Sequence, residues 1–171
     1  MAQGDIVQRM LGAATLNIDT FEEVEADETA TMQAAAVVAM VAVASAVGSV
    51  GSGGGSILFA PVGQILGWLI WAGVTYIIGD KIFGGTATWG ELLRTLGFAQ
   101  APGLLLLFAF VPLLGGLLRT VVALWMLVAG IIAIRQALDF GTGKAVLTAV
   151  IGWLALFIPA MLLAGFAAVA G

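Results

Sequence analysis

The chain contains no histidine and no cysteine, and only 9% of its 171 residues are charged. Without imidazole or thiolate ligands, the usual zinc sites, His-ligated haem and His- or Cys-dependent nucleophilic catalysis are excluded. The lack of cysteine also leaves no disulfide from which a redox compartment could be inferred. A soluble domain typically carries about 25% charged residues, so this chain is too poor in charge for that class.

Apolar runs make up most of the chain instead. Hydrophobic residues account for 61% of the sequence, and the mean hydropathy is +1.13. Each run is close to the roughly 20 residues that a helix needs to cross a bilayer. The predicted spans are about 31–50, 58–78, 98–114, 118–138 and 145–168. The sequence therefore predicts an all-α polytopic membrane protein, a five-helix transmembrane bundle with short interfacial amphipathic helices.

Two of the segments that join the predicted spans bear on where those spans begin and end. The stretch "GSVGSGGGS", 48–56, has neither the lysine of a phosphate-binding loop nor the third glycine of a dinucleotide loop, so it predicts a flexible connector. Pro112, Gly115 and Gly116 interrupt the apolar stretch 101–134. The third and fourth spans could therefore form one re-entrant hairpin, although two full spans suit the length of the stretch better.

Residues 1–30 form a predicted cytoplasmic segment that is amphipathic and then acidic. Ile6, Val7 and Met10 lie on one helical stripe, which is typical of a helix on a membrane surface. Thr20 and Glu23 have the spacing of a capping box. Six of the ten acids follow within a few residues of each other: Asp19, Glu22, Glu23, Glu25, Asp27 and Glu28. This run indicates either a solvated collar or a docking site for a basic partner, and the net charge of −4 argues against nucleic acid.

The segment 88–96 interrupts the apolar runs with a second amphipathic pattern. Trp89, Leu92 and Leu96 lie on one helical face, and Thr88 with Glu91 forms a capping box. We predict an interfacial helix on the cytoplasmic side, followed by a turn into the third span. The candidate partner-docking or membrane-interface residues are Glu22, Glu23, Glu25, Trp89, Glu91, Leu92, Arg94, Leu96, Phe98 and Pro102.

The basic residues predict the orientation of the chain. Arg9, Lys81, Arg94, Arg135 and Lys144 fall on one side of the predicted membrane, and Arg119 alone falls on the other. By the positive-inside rule the N-terminus is cytoplasmic and the C-terminus is outside. No charge lies deep inside a predicted span, which disfavours a coupled ion transporter.

A family resemblance accompanies these patterns. "GELLRTLGFAQAP", with Gly97, Phe98 and Pro102 at the entry to the third span, and the later "RQAL" and "GTGKA" resemble the Yip domain family. The resemblance implies five spans and a cytoplasmic N-terminus. In eukaryotes it implies early secretory membranes and lipid-modified Rab GTPases, but the eukaryotic Asp-Leu-Tyr-Gly-Pro motif is absent here. Phe98 also replaces the tyrosine frequent at its position, so Rab binding does not follow from the resemblance. The compact chain resembles prokaryotic members, which implies a prokaryotic cytoplasmic membrane.

These observations predict a non-catalytic membrane protein without a cofactor. Its expected role is that of a scaffold, accessory or assembly subunit, with membrane lipids and other integral membrane proteins of a larger complex as partners. The alternative is a transporter or channel for a small solute or lipid, in which Gln64, Gln100 or Thr75 would face a polar pathway.

Overall fold

The computed structural model describes residues 4–50, 60–111 and 113–170. These residues form helices and the turns between them, which confirms the predicted all-α class. The helices are α1 (Ile6–Ala14), α2 (Ile18–Ala26), α3 (Ala30–Gly48), α4 (Ala60–Tyr76, continued by a π-helix over Ile77–Ile82), α5 (Trp89–Phe98), a 3₁₀ helix (Ala101–Phe108), α6 (Leu114–Ala137) and α7 (Thr142–Ala170). Within the described residues, three helical segments are long and apolar enough to cross a membrane: Ala30–Gly48, Pro61–Ile82 and Leu114–Ala137. The predicted connector lies mostly outside the described residues, from 51 to 59.

Helices α1 and α2 form a hairpin whose starts are fixed by side-chain caps. Asp5 accepts a hydrogen bond from the Val7 amide at 3.0 Å, and Asn17 accepts one from the Asp19 amide at 2.9 Å. Such caps satisfy amide groups that have no partner inside the helix. The predicted capping box of Thr20 and Glu23 is therefore wrong, because α2 begins earlier, at Ile18.

Helix α5 and the 3₁₀ helix together follow α3 in a parallel direction. Gly97 lies against Ala34, where a Cβ would come within 2.7 Å of the Ala34 Cβ. Farther along both segments, Gly48 lies against the Leu106 carbonyl, which a Cβ would approach to 1.8 Å. The path from α5 to the 3₁₀ helix thus runs beside α3 from Ala34 to Gly48, and only glycine permits these close approaches.

This path corrects the predicted interfacial helix 88–96. The residues from Leu92 to Phe98 are buried, and α5 packs against α2, α3, α4 and α6. The third apolar segment is also not a continuous α-helix from 98 to 114. Pro102 stands in the first turn of the 3₁₀ helix. Because proline has no amide hydrogen to donate, it favours a break at this point.

The remaining helices close the bundle. Helix α6 runs back along the 3₁₀ helix and α5, and near its start Arg119 Nη2 donates to the Gly48 carbonyl at the end of α3 at 2.9 Å. Lys144, near the start of α7, donates to the Phe83 carbonyl just beyond the π-helix at 3.2 Å. The end of α4 and the start of α7 therefore meet. Since α2 contacts α5 and α6 and α1 contacts the 3₁₀ helix, the N-terminal hairpin packs against all three of these helices.

Candidate docking face

Arg94 of α5 contacts the acidic helix α2, which is distant from it in sequence. Helix α5 begins with the predicted capping box: Thr88 Oγ1 accepts from the Glu91 amide at 3.3 Å, and Glu91 Oε2 accepts from the Thr88 amide at 2.7 Å. Arg94, one turn further along α5, is only 6% exposed and lies against the end of α2. The predicted capping box of α5 is confirmed.

The Arg94 guanidinium closes the C-terminus of α2. Nε donates to the carbonyls of Val24 and Glu25 at 3.0 and 3.1 Å, and Nη2 donates to the Glu25 carbonyl as well. The last carbonyls of a helix have no partner within it and carry partial negative charge, so a buried cation there is stabilising. Arg94 is therefore a clamp between α2 and α5 rather than an exposed docking residue.

The Glu25 carboxyl lies beside this clamp in an acidic environment. Burial, and after it the neighbouring carboxylates of Glu91 and Asp139, raise its pKa to about 7 against the opposing charge of Arg94. Desolvation and like charges both disfavour the ionised form of a carboxyl group. The carboxyl groups around Glu25 therefore repel one another, and the charge of Arg94 offsets this repulsion only in part.

We call Glu22, Glu25, Trp89, Glu91 and Asp139 the acidic face. Glu22 and Asp139 are exposed and Trp89 is 48% exposed, whereas Glu25 and Glu91 are partly buried. Glu22 Oε1 accepts a hydrogen bond from Gln136 Nε2 at 2.9 Å. Asp139 Oδ2 accepts one from Thr86 Oγ1 at 2.7 Å. The face therefore combines exposed acids with an exposed tryptophan.

A second cluster holds the N-terminal hairpin to the start of α3. Arg9 is 3% exposed; its guanidinium contacts Glu23 at 2.9 Å and Asp27 at 2.6 Å, and donates to Gln33 Oε1 at 2.9 Å. Hydrogen bonds from Thr29 and then Arg9 lower the pKa of Asp27 to about 2. Glu23, a predicted docking residue, is therefore a partner of Arg9 within the protein.

Four other predicted docking residues are also placed differently from the prediction. Leu92, Leu96, Phe98 and Pro102 are buried in the bundle. They cannot form an exposed docking or membrane-surface face, because neighbouring helices cover the apolar stripe that was expected to face lipid. Of the predicted set, Glu22, Glu25, Trp89 and Glu91 remain on the acidic face.

Sequence reasoning missed two of the residues that organise this end of the bundle. Arg9 was used only to predict the orientation of the chain, and Asp139 was not among the predicted docking residues. The spacing of Asp5 and Arg9 carries no signal for an ion pair with Glu23 or Asp27. The only indication in the sequence was that a basic residue, Arg9, precedes the acidic run that begins at Asp19.

No metal site accompanies the acids in the part of the chain that the structure describes. There, no group of three or more acidic side chains is arranged to hold a metal ion.

Comparison with known proteins gives the family. The model of the Yip1 domain matches residues 16–164. No curated protein and no solved structure matches the chain. The matched region extends from the turn between α1 and α2 into α7, and so includes the acidic face and the entry to the 3₁₀ helix at Gly97 and Pro102. The chain belongs to the Yip1 domain family of membrane proteins.

Proposed function

We propose that the protein is a non-catalytic scaffold or accessory subunit whose acidic face docks a basic segment of another integral membrane protein. The observation that carries this proposal is the excess of acid around Glu25, whose carboxyl has its pKa raised to about 7 by burial and by Glu91 and Asp139. A partner lysine or arginine would relieve that repulsion. Complementary charge of this kind guides association and orients the partner.

Trp89 supplies the apolar part of the same surface. It stands at the first position of α5, two residues before Glu91, and nearly half of its side chain is exposed. Tryptophan is enriched among the residues that dominate binding energy at interfaces. A tryptophan bordered by acids suits a basic segment that also carries an apolar side chain.

The proposed location is a prokaryotic cytoplasmic membrane, with five passes, the N-terminus inside and the C-terminus outside. The acidic face and the basic residues Arg9, Lys81, Arg94, Arg135 and Lys144 belong to segments at one end of the bundle, and Arg119 belongs to the other. That distribution supports a cytoplasmic position for the acidic face under the positive-inside rule.

The alternative of a transporter or channel has less support. Gln64 Nε2 donates to Gln100 Oε1 at 2.7 Å, and Thr75 is fully buried. Gln64 and Gln100 are thus paired with each other between helices, and Thr75 has no exposed surface with which to line an open pathway. Paired amides of this kind commonly hold membrane helices together.

Gentle solubilisation followed by native gel electrophoresis tests the proposal. We expect a stoichiometric complex that the double variant Trp89→Ser/Glu22→Lys dissociates and that added salt weakens. The control is Glu28→Lys, which reverses an exposed acid outside the acidic face and should leave the complex intact. Recovery of an isolated monomer in several detergents, or equal loss of the partner in the control, would contradict the proposal.

A further inference from the structure

An apolar pocket with one basic residue lies at the opposite end of the bundle from the acidic face. Its volume is about 410 Å³, and it is bounded by α3, the 3₁₀ helix and α6. Its apolar walls include Leu106, Val122 and Met126, and its polar side includes Ser45 and Arg119. The volume falls within the range of small-molecule sites, which are mostly apolar with a few polar groups that fix orientation.

The Arg119 guanidinium is only partly used by the protein. Nη2 donates to the Gly48 carbonyl at 2.9 Å, at the end of α3. Among the described residues, no acceptor is bonded to Nε or Nη1, and the side chain is exposed. The bond to Gly48 holds the guanidinium at the pocket and leaves donors free for an anion. A planar guanidinium matches a phosphate group, which can accept two parallel hydrogen bonds.

No acidic residue near Arg119 in the sequence could compete with a bound anion for the guanidinium. No acid occurs from 29 to 79 or from 92 to 138, the two stretches that contain every residue lining the pocket. Arg119 is five residues into α6, a helix long and apolar enough to cross a membrane. An anion bound there would therefore meet a cation without nearby repulsion, next to apolar surface.

From this combination we infer that the pocket binds one anionic phospholipid, with the phosphate on Arg119 and part of an acyl chain against Leu106, Val122 and Met126. A free phosphate would use only the guanidinium and leave the apolar walls uncovered. A neutral apolar molecule would leave the charge unpaired. The amphipathic lining fits a ligand with both properties, and this site is separate from the proposed docking face.

The experiment measures lipid binding to the purified full chain by native mass spectrometry in detergent. The probes are phosphatidylglycerol, phosphatidylcholine and inorganic phosphate. We expect phosphatidylglycerol to bind at least tenfold more tightly than phosphatidylcholine, and phosphate alone to bind weakly. Equal retention of inorganic phosphate and phosphatidylglycerol would identify a phosphate site and overturn the lipid assignment.

Two variants locate the site. Arg119→Gln should weaken phosphatidylglycerol binding about tenfold, because a charge-assisted hydrogen bond to the phosphate is lost. Since that change also removes the bond to Gly48, Ala123→Phe provides a second test: Ala123 is exposed and lines the pocket, so a larger side chain fills it and leaves Arg119 in place. We expect a similar loss.

The matched control is Arg135→Gln, at the other end of α6. It removes the same charge without touching the pocket and should leave the binding unchanged. If Arg135→Gln weakens binding as much as Arg119→Gln, or if Ala123→Phe has no effect, the lipid is held by general attraction to positive charge and the inference is wrong.

Discussion

Replacing Arg94 by methionine should detach the N-terminal hairpin from the bundle. The change keeps an unbranched side chain of similar length but removes the donors to the Val24 and Glu25 carbonyls. It also removes the positive charge that opposes Glu91 and Asp139 around Glu25. The consequence should be loss of both the cap of α2 and the contact between α2 and α5.

The magnitude follows from the burial of the groups involved. A hydrogen bond to a charged donor contributes about 1.5–3 kcal/mol, and leaving a buried acceptor unpaired costs about 1–3 kcal/mol. These contributions overlap, because one side chain provides all of the bonds. We therefore expect Arg94→Met to lower the free energy of unfolding by about 3 kcal/mol.

The assay is reversible unfolding in mixed micelles, with proteolysis of the hairpin as a local readout. The control is Arg135→Met near the end of α6, since among the described residues Arg135 Nε donates only to the Gln136 side chain, at 3.1 Å. We expect the control to cost less than about 1 kcal/mol. Equal destabilisation by the two variants, or an undisturbed hairpin in Arg94→Met, would refute the proposed clamp.

Three further changes test other contacts. Glu25 holds its proton more tightly in the folded protein than in the unfolded chain, so stability should fall as the pH rises from its usual pKa of 4.5 to about 7. Glu25→Gln should therefore raise the free energy of unfolding by about 1 kcal/mol above pH 7 and have little effect near pH 4. A variant that is more stable than the original protein only at low pH would contradict the expected pH dependence. Gly48→Ala should destabilise by about 1–3 kcal/mol in thermal unfolding, because its Cβ would lie 1.8 Å from a backbone oxygen. Gly63→Ala, where the added Cβ meets no described residue within 4 Å, is its control. Trp125→Phe removes the 2.7 Å bond to the Ala14 carbonyl and should increase hydrogen exchange at the end of α1, at a cost of about 1 kcal/mol; unchanged exchange there would exclude that bond as a hairpin anchor.

Some features could be predicted from local sequence because their causes are local. The capping box of Thr88 and Glu91 involves residues three apart, and the structure contains both of its hydrogen bonds. The long apolar segments around α3, α4 and α6 follow from composition, since a bilayer accepts only segments that lack charge over that length. The family was recognisable for a similar reason, because the stretch that includes Gly97 and Pro102 is short and contiguous.

The candidate site depended on the tertiary structure. The stripe of Trp89, Leu92 and Leu96 shows that one face of α5 is apolar, but an apolar stripe does not specify whether lipid or protein covers it. In the structure, neighbouring helices bury Leu92 and Leu96, while Trp89 stays half exposed. The prediction of an interfacial helix was wrong because it assumed that lipid, rather than protein, covers this stripe.

The sequence by itself determined the membrane class, the helical fold and the family of this protein, since each depends on residues near one another in the chain. Only the tertiary structure decided that Arg94 caps a helix that ends 68 residues earlier, and that Asp139 approaches Glu25. The same holds for the pocket at Arg119. Such contacts depend on how helices pack, and a pattern of hydrophobicity along the chain carries no information about which distant partner a charged side chain will meet.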